Sequence, residues 1–235
     1  MNNTTKYIST ELAVFKDAQN WKKYFSDIII PFIQGSVLEV GAGIGSNTPY
    51  LINKKINSLT LLEPDKSFAN ILKQQKTQNQ FPQNCDVING TLQDLKKDLL
   101  FDTIIYLDVL EHIENDSEEV SEIYNRLKQN GKLIILSPAF PCIFSKFDKE
   151  IGHYRRYTKK SLRKISVKMR PLNLRYLDCS GFFLSAANKY FLTQKYPSKK
   201  QVFFWDKVCI PISRFFDPLT KNFFGRSILG IWEKK

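Results

Sequence analysis

The sequence has few of the residues that build metal centres and disulfide frameworks. Its 235 residues include four cysteines and two histidines. The cysteines are at least 30 residues apart, so no pair has the C-x-x-C spacing of zinc or redox sites. We therefore predict no metal site. We interpret Cys85, Cys142, Cys179 and Cys209 as small buried side chains in a reducing, cytoplasmic compartment.

Long apolar runs are also missing. No uninterrupted apolar stretch approaches the ~18 residues that span a bilayer. Residues 1–20 lack the basic region followed by an apolar stretch that marks a secretory signal. The sequence thus predicts neither a membrane span nor a signal peptide. With 43% hydrophobic residues, it also excludes disorder of the whole chain.

Acidic residues are scarce in the second half of the chain. Residues 1–150 carry 16 basic and 19 acidic side chains, a net charge of −3. Residues 151–235 carry 19 basic and only 4 acidic side chains, a net charge of +15. The overall charge of +12 therefore belongs to one part of the molecule. This asymmetry predicts two surfaces with different roles, and an anionic partner for the second.

The order of apolar segments predicts an α/β fold. A helical pattern within residues 11–32 comes first. Short apolar segments then alternate with helical ones of about 10 to 15 residues, which is typical of βαβ units. The predicted strands are 36–40, 58–63, 85–89, 101–107, 132–136, 172–177 and 226–232. The predicted helices after the first are 46–55, 65–77, 116–128 and 158–168.

Three glycines follow the first predicted strand. Gly41, Gly43 and Gly45 stand at alternate positions, where a ligand lying across the end of the strand needs a close approach to the backbone. The dinucleotide fingerprint G-x-G-x-x-G requires glycine at position 46, which is Ser46 here. This departure disfavours a nicotinamide-dependent oxidoreductase, which remains the alternative enzyme class.

The glycine turn and the segments after it resemble class I S-adenosylmethionine-dependent methyltransferases, and in particular the ubiquinone-biosynthesis type. Residues 39–45 match the motif E-x-G-x-G-x-G, and Glu63 ends the second predicted strand 18 residues after Gly45. Residues 90–92 follow the third predicted strand, where members of this family often carry Gly-Asp and contact the adenine of the cofactor. Here Thr91 replaces the expected acid. Residues 106–113 are similar to the segment after the fourth strand. The resemblance covers about residues 36–138.

The resemblance implies the fold and the cofactor. It implies a Rossmann-like, seven-stranded, mostly parallel sheet with helices on both faces, an antiparallel last strand and an aromatic-basic insertion before it. Residues 1–235 would form one domain, with a helical cap (1–35), a cofactor-binding core (36–138) and an acceptor side (139–235). The cofactor would be S-adenosylmethionine, its product S-adenosylhomocysteine, and Glu63 would hold the ribose. The implied cofactor-binding residues are Glu39, Gly41, Ala42, Gly43, Gly45, Glu63, Pro64, Thr91, Leu92, Leu107 and Asp108.

The segment 152–158 is predicted to close over the acceptor. Similar His-x-Arg-x-aromatic-Thr segments precede a helix in related methyltransferases. His153 is the candidate base because the unperturbed pKa of histidine lies near 6.5. The alternative is that His153 and Arg156 only pin the loop. The candidate substrate-binding residues are His112, Tyr154, Arg155, Arg156 and Tyr157.

The basic half leaves three interpretations open. Residues 182–224 hold twelve aromatic side chains among lysines and prolines. They can close a substrate pocket, lie on an anionic membrane surface, or bind nucleic acid, the last being the least favoured. We predict methyl transfer to oxygen or nitrogen of a small or lipid-linked, anionic acceptor. The non-enzymatic alternative is a basic nucleic-acid or membrane adaptor on a methyltransferase fold.

Overall fold

The computed structural model describes residues 14–192, 194 and 196–235; residues 11–13 of the first predicted helical segment lie outside them. Seven strands form one sheet: β1 (Gly35–Val40), β2 (Ile56–Glu63), β3 (Cys85–Asn89), β4 (Phe101–Leu107), β5 (Leu127–Pro138), β6 (Arg170–Leu177) and β7 (Ser227–Glu233). The α-helices are α1 (Gln19–Ile29), α2 (Lys66–Thr77), α3 (Asp116–Arg126), α4 (Lys146–Glu150), α5 (Lys159–Ile165), α6 (Cys179–Ala187), α7 (Lys199–Phe204) and α8 (Ile210–Leu219).

The sheet has the order β3-β2-β1-β4-β5-β7-β6. Strands β1 to β5 pair in parallel, and β7 runs antiparallel to both β5 and β6. The predicted fold, a Rossmann-like sheet of seven mostly parallel strands with an antiparallel last strand, is therefore confirmed. The strand order reverses between β1 and β4, so a crevice opens at their carboxyl ends, where ligands bind in open α/β sheets.

Helices cover both faces of the sheet. Neighbouring residues of β1 point to opposite sides, so Val37 packs into one core and Leu38 into the other. The first core also contains Phe25 of α1 and Trp205, and the second contains Ile123 of α3. Because both faces are buried, the central strands carry continuous apolar runs instead of alternating ones.

One predicted helix is wrong. Residues 46–55 form only a 3-10 turn, Thr48–Tyr50, where a helix was predicted. Pro49 cannot donate a backbone hydrogen bond and disfavours helical geometry at Thr48. The Thr48 hydroxyl also turns back to the end of β1 and donates to Glu39 at 2.8 Å. The glycine turn is therefore followed by a tight loop.

The predicted insertion lies between β6 and β7. It contains α6, α7 and α8, with π-helical turns at Asn188–Leu192 and Trp205–Cys209. Residues 199–219 run as consecutive helical elements, α7, the second π turn and α8. None of the helices in the described ranges is long and apolar enough to cross a membrane. Three cysteines are buried as predicted, whereas Cys142 is exposed in the turn after β5.

Candidate active site

A cavity of about 290 Å³ lies at the carboxyl ends of β1, β2 and β4. The glycine turn forms part of its lining through Gly41, Ala42 and Gly43. The other predicted site residues that line it are Glu63, Pro64, Leu107, Asp108, His112, His153 and Arg156. The fold thus brings together four of the segments that were selected from the sequence, although more than a hundred residues separate the first from the last.

Two of the glycines in the turn are required by its geometry. Gly41 has φ +65°, and a Cβ there would lie 2.6 Å from Cγ2 of Val109. Gly45 has φ +73°, and its Cβ would lie 2.8 Å from Leu72. Side chains would therefore meet both backbone strain and a clash. The turn stays next to β2 because the N–H groups of Gly41 and Ala42 donate to the carbonyl of Leu62 at 2.8 and 3.2 Å.

Glu63 joins the end of β2 to the glycine turn. The backbone N–H of Gly43 donates to its Oε2 at 2.8 Å, and that of Asp65 donates to its Oε1 at 2.9 Å. Burial raises the pKa of Glu63, while these two hydrogen bonds act in the opposite direction. Each carboxylate oxygen keeps a second lone pair, so two further donors from the cavity can be accepted.

Glu39 lies behind the turn and does not line the cavity. Its side chain is buried and accepts the hydrogen bond from Thr48 described above. Burial raises the pKa of Glu39 to about 7, although the bond from Thr48 opposes the shift. Its observed role is to hold the loop after the glycine turn against β1.

Asp108 turns the chain sharply at the end of β4. It has φ +54°, which is rare for a residue with a side chain, and its N–H donates to Leu136 of β5 at 2.8 Å. Its exposed surface faces the cavity. Burial among protein groups raises the pKa of Asp108 to about 6, and the charge of Arg226 opposes that shift.

A buried ion pair anchors segment 152–158, the predicted lid. Arg156 donates from Nε to Oδ1 of Asp148 at 2.8 Å and from Nη2 to Oδ2 at 3.1 Å. Burial alone would raise the pKa of Asp148, but the hydrogen bond from His153 and the charge of Arg156 hold it well below its usual range. Arg156 also donates to the carbonyl of Ala139, which ties the lid to the end of β5.

His153 is oriented by the same carboxylate. Its Nδ1 lies 3.1 Å from Oδ1 of Asp148. An ionised carboxylate only accepts, so Nδ1 carries the proton and Nε2 of the neutral ring is left as a base. Burial lowers the pKa of His153, and the bond to Asp148 opposes this. Nε2 lies 3.8 Å from Oε1 of the buried Glu111.

His112 packs edge-on against His153, with ring centroids 4.6 Å apart. The pKa of His112 is lowered to about 3, mainly by burial and to a smaller extent by the neighbouring His153. Ligand atoms of Glu111, His112 and His153 all lie within 4.8 Å of one another. The sequence predicted no metal site, yet the fold assembles three groups of the kind that bind metal ions.

Seven of the predicted site residues lie away from the cavity lining. Thr91 caps a 3-10 turn through Asp94, and Leu92 is buried in the core. Arg155 pairs with Asp116 at 2.8 Å, and the Tyr157 hydroxyl donates to the same carboxylate at 2.8 Å. The remaining three are Glu39, Gly45 and the exposed Tyr154. His153 and Arg156 therefore reach the cavity from segment 152–158 and His112 from the turn after β4, while Arg155 and Tyr157 of segment 152–158 bind Asp116.

Two basic residues of the cavity lining were not predicted from the sequence. Lys22 of α1 is buried beside the glycine turn, and burial lowers its pKa to about 8. Arg226 precedes β7, and its guanidinium lies 4.5 Å from the centroid of Trp205. Neither belongs to a motif. The only signal was a basic residue in a predicted helix and another at the start of the last predicted strand.

A second cavity of about 350 Å³ adjoins the first. The insertion supplies most of its lining, which is largely apolar, with Leu184, Leu192 and Val202 among its residues. Of the described residues that line it, the charged ones are Arg156, Lys200 and Arg226, all basic. Five residues line both cavities and form the boundary between them: Phe15, Phe147, Arg156, Trp205 and Arg226.

Comparison with known proteins agrees with this geometry. Residues 38–133 match a family model described as a methyltransferase domain. An uncharacterized methyltransferase of Staphylococcus carnosus is 29% identical over 109 residues, which are 46% of this chain and 49% of that protein. A ubiquinone biosynthesis O-methyltransferase of Rickettsia bellii is 29% identical over 99 residues, which are 42% of this chain and 40% of that protein. The matched segment thus spans about half or less of these curated relatives.

Solved structures share the fold over the whole chain. The N-methyltransferase NodS of Bradyrhizobium japonicum, solved in complex with S-adenosylhomocysteine, aligns with a TM-score of 0.63. The alignment covers 99% of each chain at 12% sequence identity. At that identity the likeness shows a common fold.

Proposed function

We propose that this chain is a class I S-adenosylmethionine-dependent methyltransferase that methylates a small, largely apolar acceptor carrying an anionic group; its sheet order, its glycine turn and the methyltransferase-domain match of residues 38–133 support the first part. The observation that carries the proposal is the second cavity. It adjoins the cavity at the glycine turn, its lining is mostly apolar, and its charged residues are basic.

The residues of the first cavity fit S-adenosylmethionine. Gly41 and Gly43 line the cavity and so bring backbone to its surface, and Glu63 has lone pairs for both hydroxyls of a ribose. Leu107 and Asp108 would contact the methionine part, and Asp108 can accept from its ammonium group. Lys22 offers a cation for the methionine carboxylate. When bound, this cofactor supplies a methyl group on a positively charged sulfur.

Arg226 is the best-placed residue to hold the anionic group of the acceptor. It lines both cavities, whereas Arg156 is already committed to Asp148. Stacking on Trp205 fixes the plane of the guanidinium, so that its N–H groups can bind a carboxylate or phosphate in a bidentate manner. Burial lowers the pKa of Arg226, which Asp178 partly offsets, and the group stays charged.

His153 is the proposed base. Asp148 fixes its ring, and Nε2 is then free to accept the proton of an acceptor hydroxyl or ammonium. Glu111, 3.8 Å away, would stabilise the resulting imidazolium. The names of the curated Rickettsia relatives support a hydroxyl oxygen as the first acceptor to test. Apart from removing this proton, the cavity has to align the acceptor with the methyl group and to exclude water.

Calorimetry tests the cofactor. We expect S-adenosylhomocysteine to bind with a Kd on the order of 1 to 100 μM, or about −8 to −5 kcal/mol. Glu63→Ala should weaken it at least tenfold, because a buried acceptor for the ribose is lost. Glu118→Ala, an exposed change on α3, is the matched control. Binding of NAD without binding of either sulfur compound would replace this proposal with an oxidoreductase.

Methyl transfer from labelled S-adenosylmethionine tests the acceptor. Alkylated catechols with and without a ring carboxylate form matched pairs. We expect the carboxylates to have a lower KM, and Arg226→Gln to abolish that difference while leaving S-adenosylhomocysteine affinity within threefold. Equal KM values within each pair for the wild-type protein would contradict the anionic acceptor.

A further inference from the structure

The helical insertion exposes an apolar stripe. In residues 199–219, six of the seven exposed large apolar side chains recur three or four positions apart, so these six lie on one side of the helix. They are Phe204, Val208, Ile212, Phe215, Phe216 and Leu219, with exposed fractions from 42% to 66%, whereas Phe203 lies off this row. Exposed aromatic residues continue on either side of this helix, at Phe191 and Phe223. A contiguous apolar surface of this kind marks an interaction site.

The orientation of the stripe is fixed by buried polar groups on the opposite side of the helix. Asp206 accepts from the N–H of Trp21 at 3.0 Å. Asp217 accepts from the hydroxyl of Tyr24 at 2.8 Å and from the N–H of Cys179 at 2.9 Å. The carboxylates of this helix therefore face the protein and its phenylalanines face solvent, the reverse of an ordinary surface helix.

The charges next to the stripe are basic. Lys200, Lys207 and Arg214 recur every seven residues, which places them in a row along one flank of the stripe. The only acidic residues of the segment 179–224 are Asp206 and Asp217, and both are buried. Arg214 pairs with Asp27 of α1. The described residues of this segment therefore include no exposed carboxylate that would repel an anionic surface.

The second cavity, which is the proposed acceptor site and is called the acceptor cavity below, opens beside this stripe. Leu184, Leu192 and Phe204 line the cavity and are also exposed at the surface, as is Lys200. An apolar stripe with one basic flank is the pattern of a helix that lies in the headgroup region of an anionic bilayer. A nucleic acid would instead need phosphate contacts on the aromatic side, where the stripe offers no donors.

We propose that the apolar stripe and the basic row beside it dock on an anionic phospholipid bilayer, so that an apolar acceptor enters its cavity directly from the membrane. The second half of this statement rests on the proposed function, whereas the docking itself does not. The stripe enters the headgroup region, the basic row contacts lipid phosphates, and Leu184, Leu192 and Phe204 border the path to the cavity.

Vesicle sedimentation of the full chain tests the docking. Vesicles of phosphatidylcholine alone are compared with vesicles containing 30% phosphatidylglycerol, over a salt series. We expect binding to the anionic vesicles that weakens with salt. Phe215→Ser/Phe216→Ser should reduce it at least tenfold, and Lys207→Gln/Arg214→Gln, which removes two charges of the basic row, about tenfold. Neither pair lines the acceptor cavity, so methyl transfer to a soluble acceptor should not change.

The matched control is Leu99→Ser/Leu100→Ser, an exposed apolar pair in the acidic half. It should bind vesicles like the wild type. Unchanged melting temperature and S-adenosylhomocysteine affinity show that each variant is folded, and Phe191→Ser replaces the first pair if it is not. Three results would overturn the proposal: no vesicle binding, equal loss in the control, or dimerisation or RNA binding in place of vesicle binding. Cofactor binding without vesicle binding would refute the docking alone.

Discussion

Asp148→Asn tests whether the lid is held by its buried ion pair. Both oxygens of Asp148 accept hydrogen bonds: Oδ1 from Arg156 and His153, and Oδ2 from Arg156 and from the N–H and hydroxyl of Ser145. An amide of the same shape keeps one acceptor and turns the other into a donor that faces donors. It also leaves the buried Arg156 guanidinium without its counter-charge. Breaking such a pair typically costs about 3 to 5 kcal/mol.

Urea unfolding measures the loss. A domain of this kind has a total stability of about 5 to 15 kcal/mol, so the variant should lose a large fraction of it. The melting temperature should fall by roughly 6 to 20 °C. Asp98→Asn is the control, because it removes a carboxylate that is exposed at the surface. A loss below about 1 kcal/mol for Asp148→Asn would refute the reasoning.

A double-mutant cycle with Arg156→Met separates the pair from its surroundings. If each charge stabilises the other, the double variant should be at least about 1.5 kcal/mol more stable than the sum of the single losses predicts. Additive losses would show that Asp148 acts through Ser145 and His153. The pH profile of methyl transfer adds an independent readout, since only the loss of His153 orientation should change it.

Two further predictions concern the cavity walls. Gly41→Ala should weaken S-adenosylhomocysteine binding at least tenfold, because residue 41 has a positive φ and the new Cβ would clash with Val109. The double variant Gly41→Ala/Val109→Ala should regain only the part of the affinity that the clash removes. An unaltered affinity in the single variant would contradict this prediction. His112 has a folded pKa of about 3 against about 6.5 when unfolded, so the unfolded state binds more protons between these values. The free energy of unfolding should therefore fall by about 1.4 kcal/mol for each pH unit below 6 on account of this group, and urea titrations from pH 7 to 4.5 should show a shallower slope for His112→Gln. Parallel slopes would refute a buried neutral His112.

Local signals explain what the sequence predicted well. The strands of the cofactor half are short apolar runs, and a sheet covered on both faces requires such runs. The positions of Gly41 and Glu63 followed from a motif that depends on the backbone at the ends of two strands. The prediction of a helix at 46–55 was wrong because it relied on the apolar periodicity of the segment and gave too little weight to Pro49. This single residue decides the local backbone geometry.

Contacts between segments explain what the sequence did not indicate. Asp148 of α4 pairs with the guanidinium of Arg156, in agreement with the alternative that this residue pins the loop, and its binding of substrate stays a prediction. Arg226 was not predicted because its role depends on Trp205 and on the boundary between two cavities, and a single sequence shows neither. Similarly, alternation of aromatic and basic residues in 182–224 did not reveal which side faces water, since buried Asp206 and Asp217 determine that orientation.

The same carboxylates link the insertion to α1. Asp206 and Asp217 bind Trp21 and Tyr24, both on α1, which also carries Lys22 into the first cavity. Asp178, buried at the start of α6, accepts from the indole of Trp205 at 2.8 Å and from Ser213 at 2.7 Å, and its carbonyl accepts from the N–H of Arg226. The stripe, the boundary between the cavities and α1 are thus connected by hydrogen bonds to three buried aspartates. Since each aspartate is buried, the position of the outward-facing phenylalanines is fixed by the protein interior and does not depend on what they contact outside.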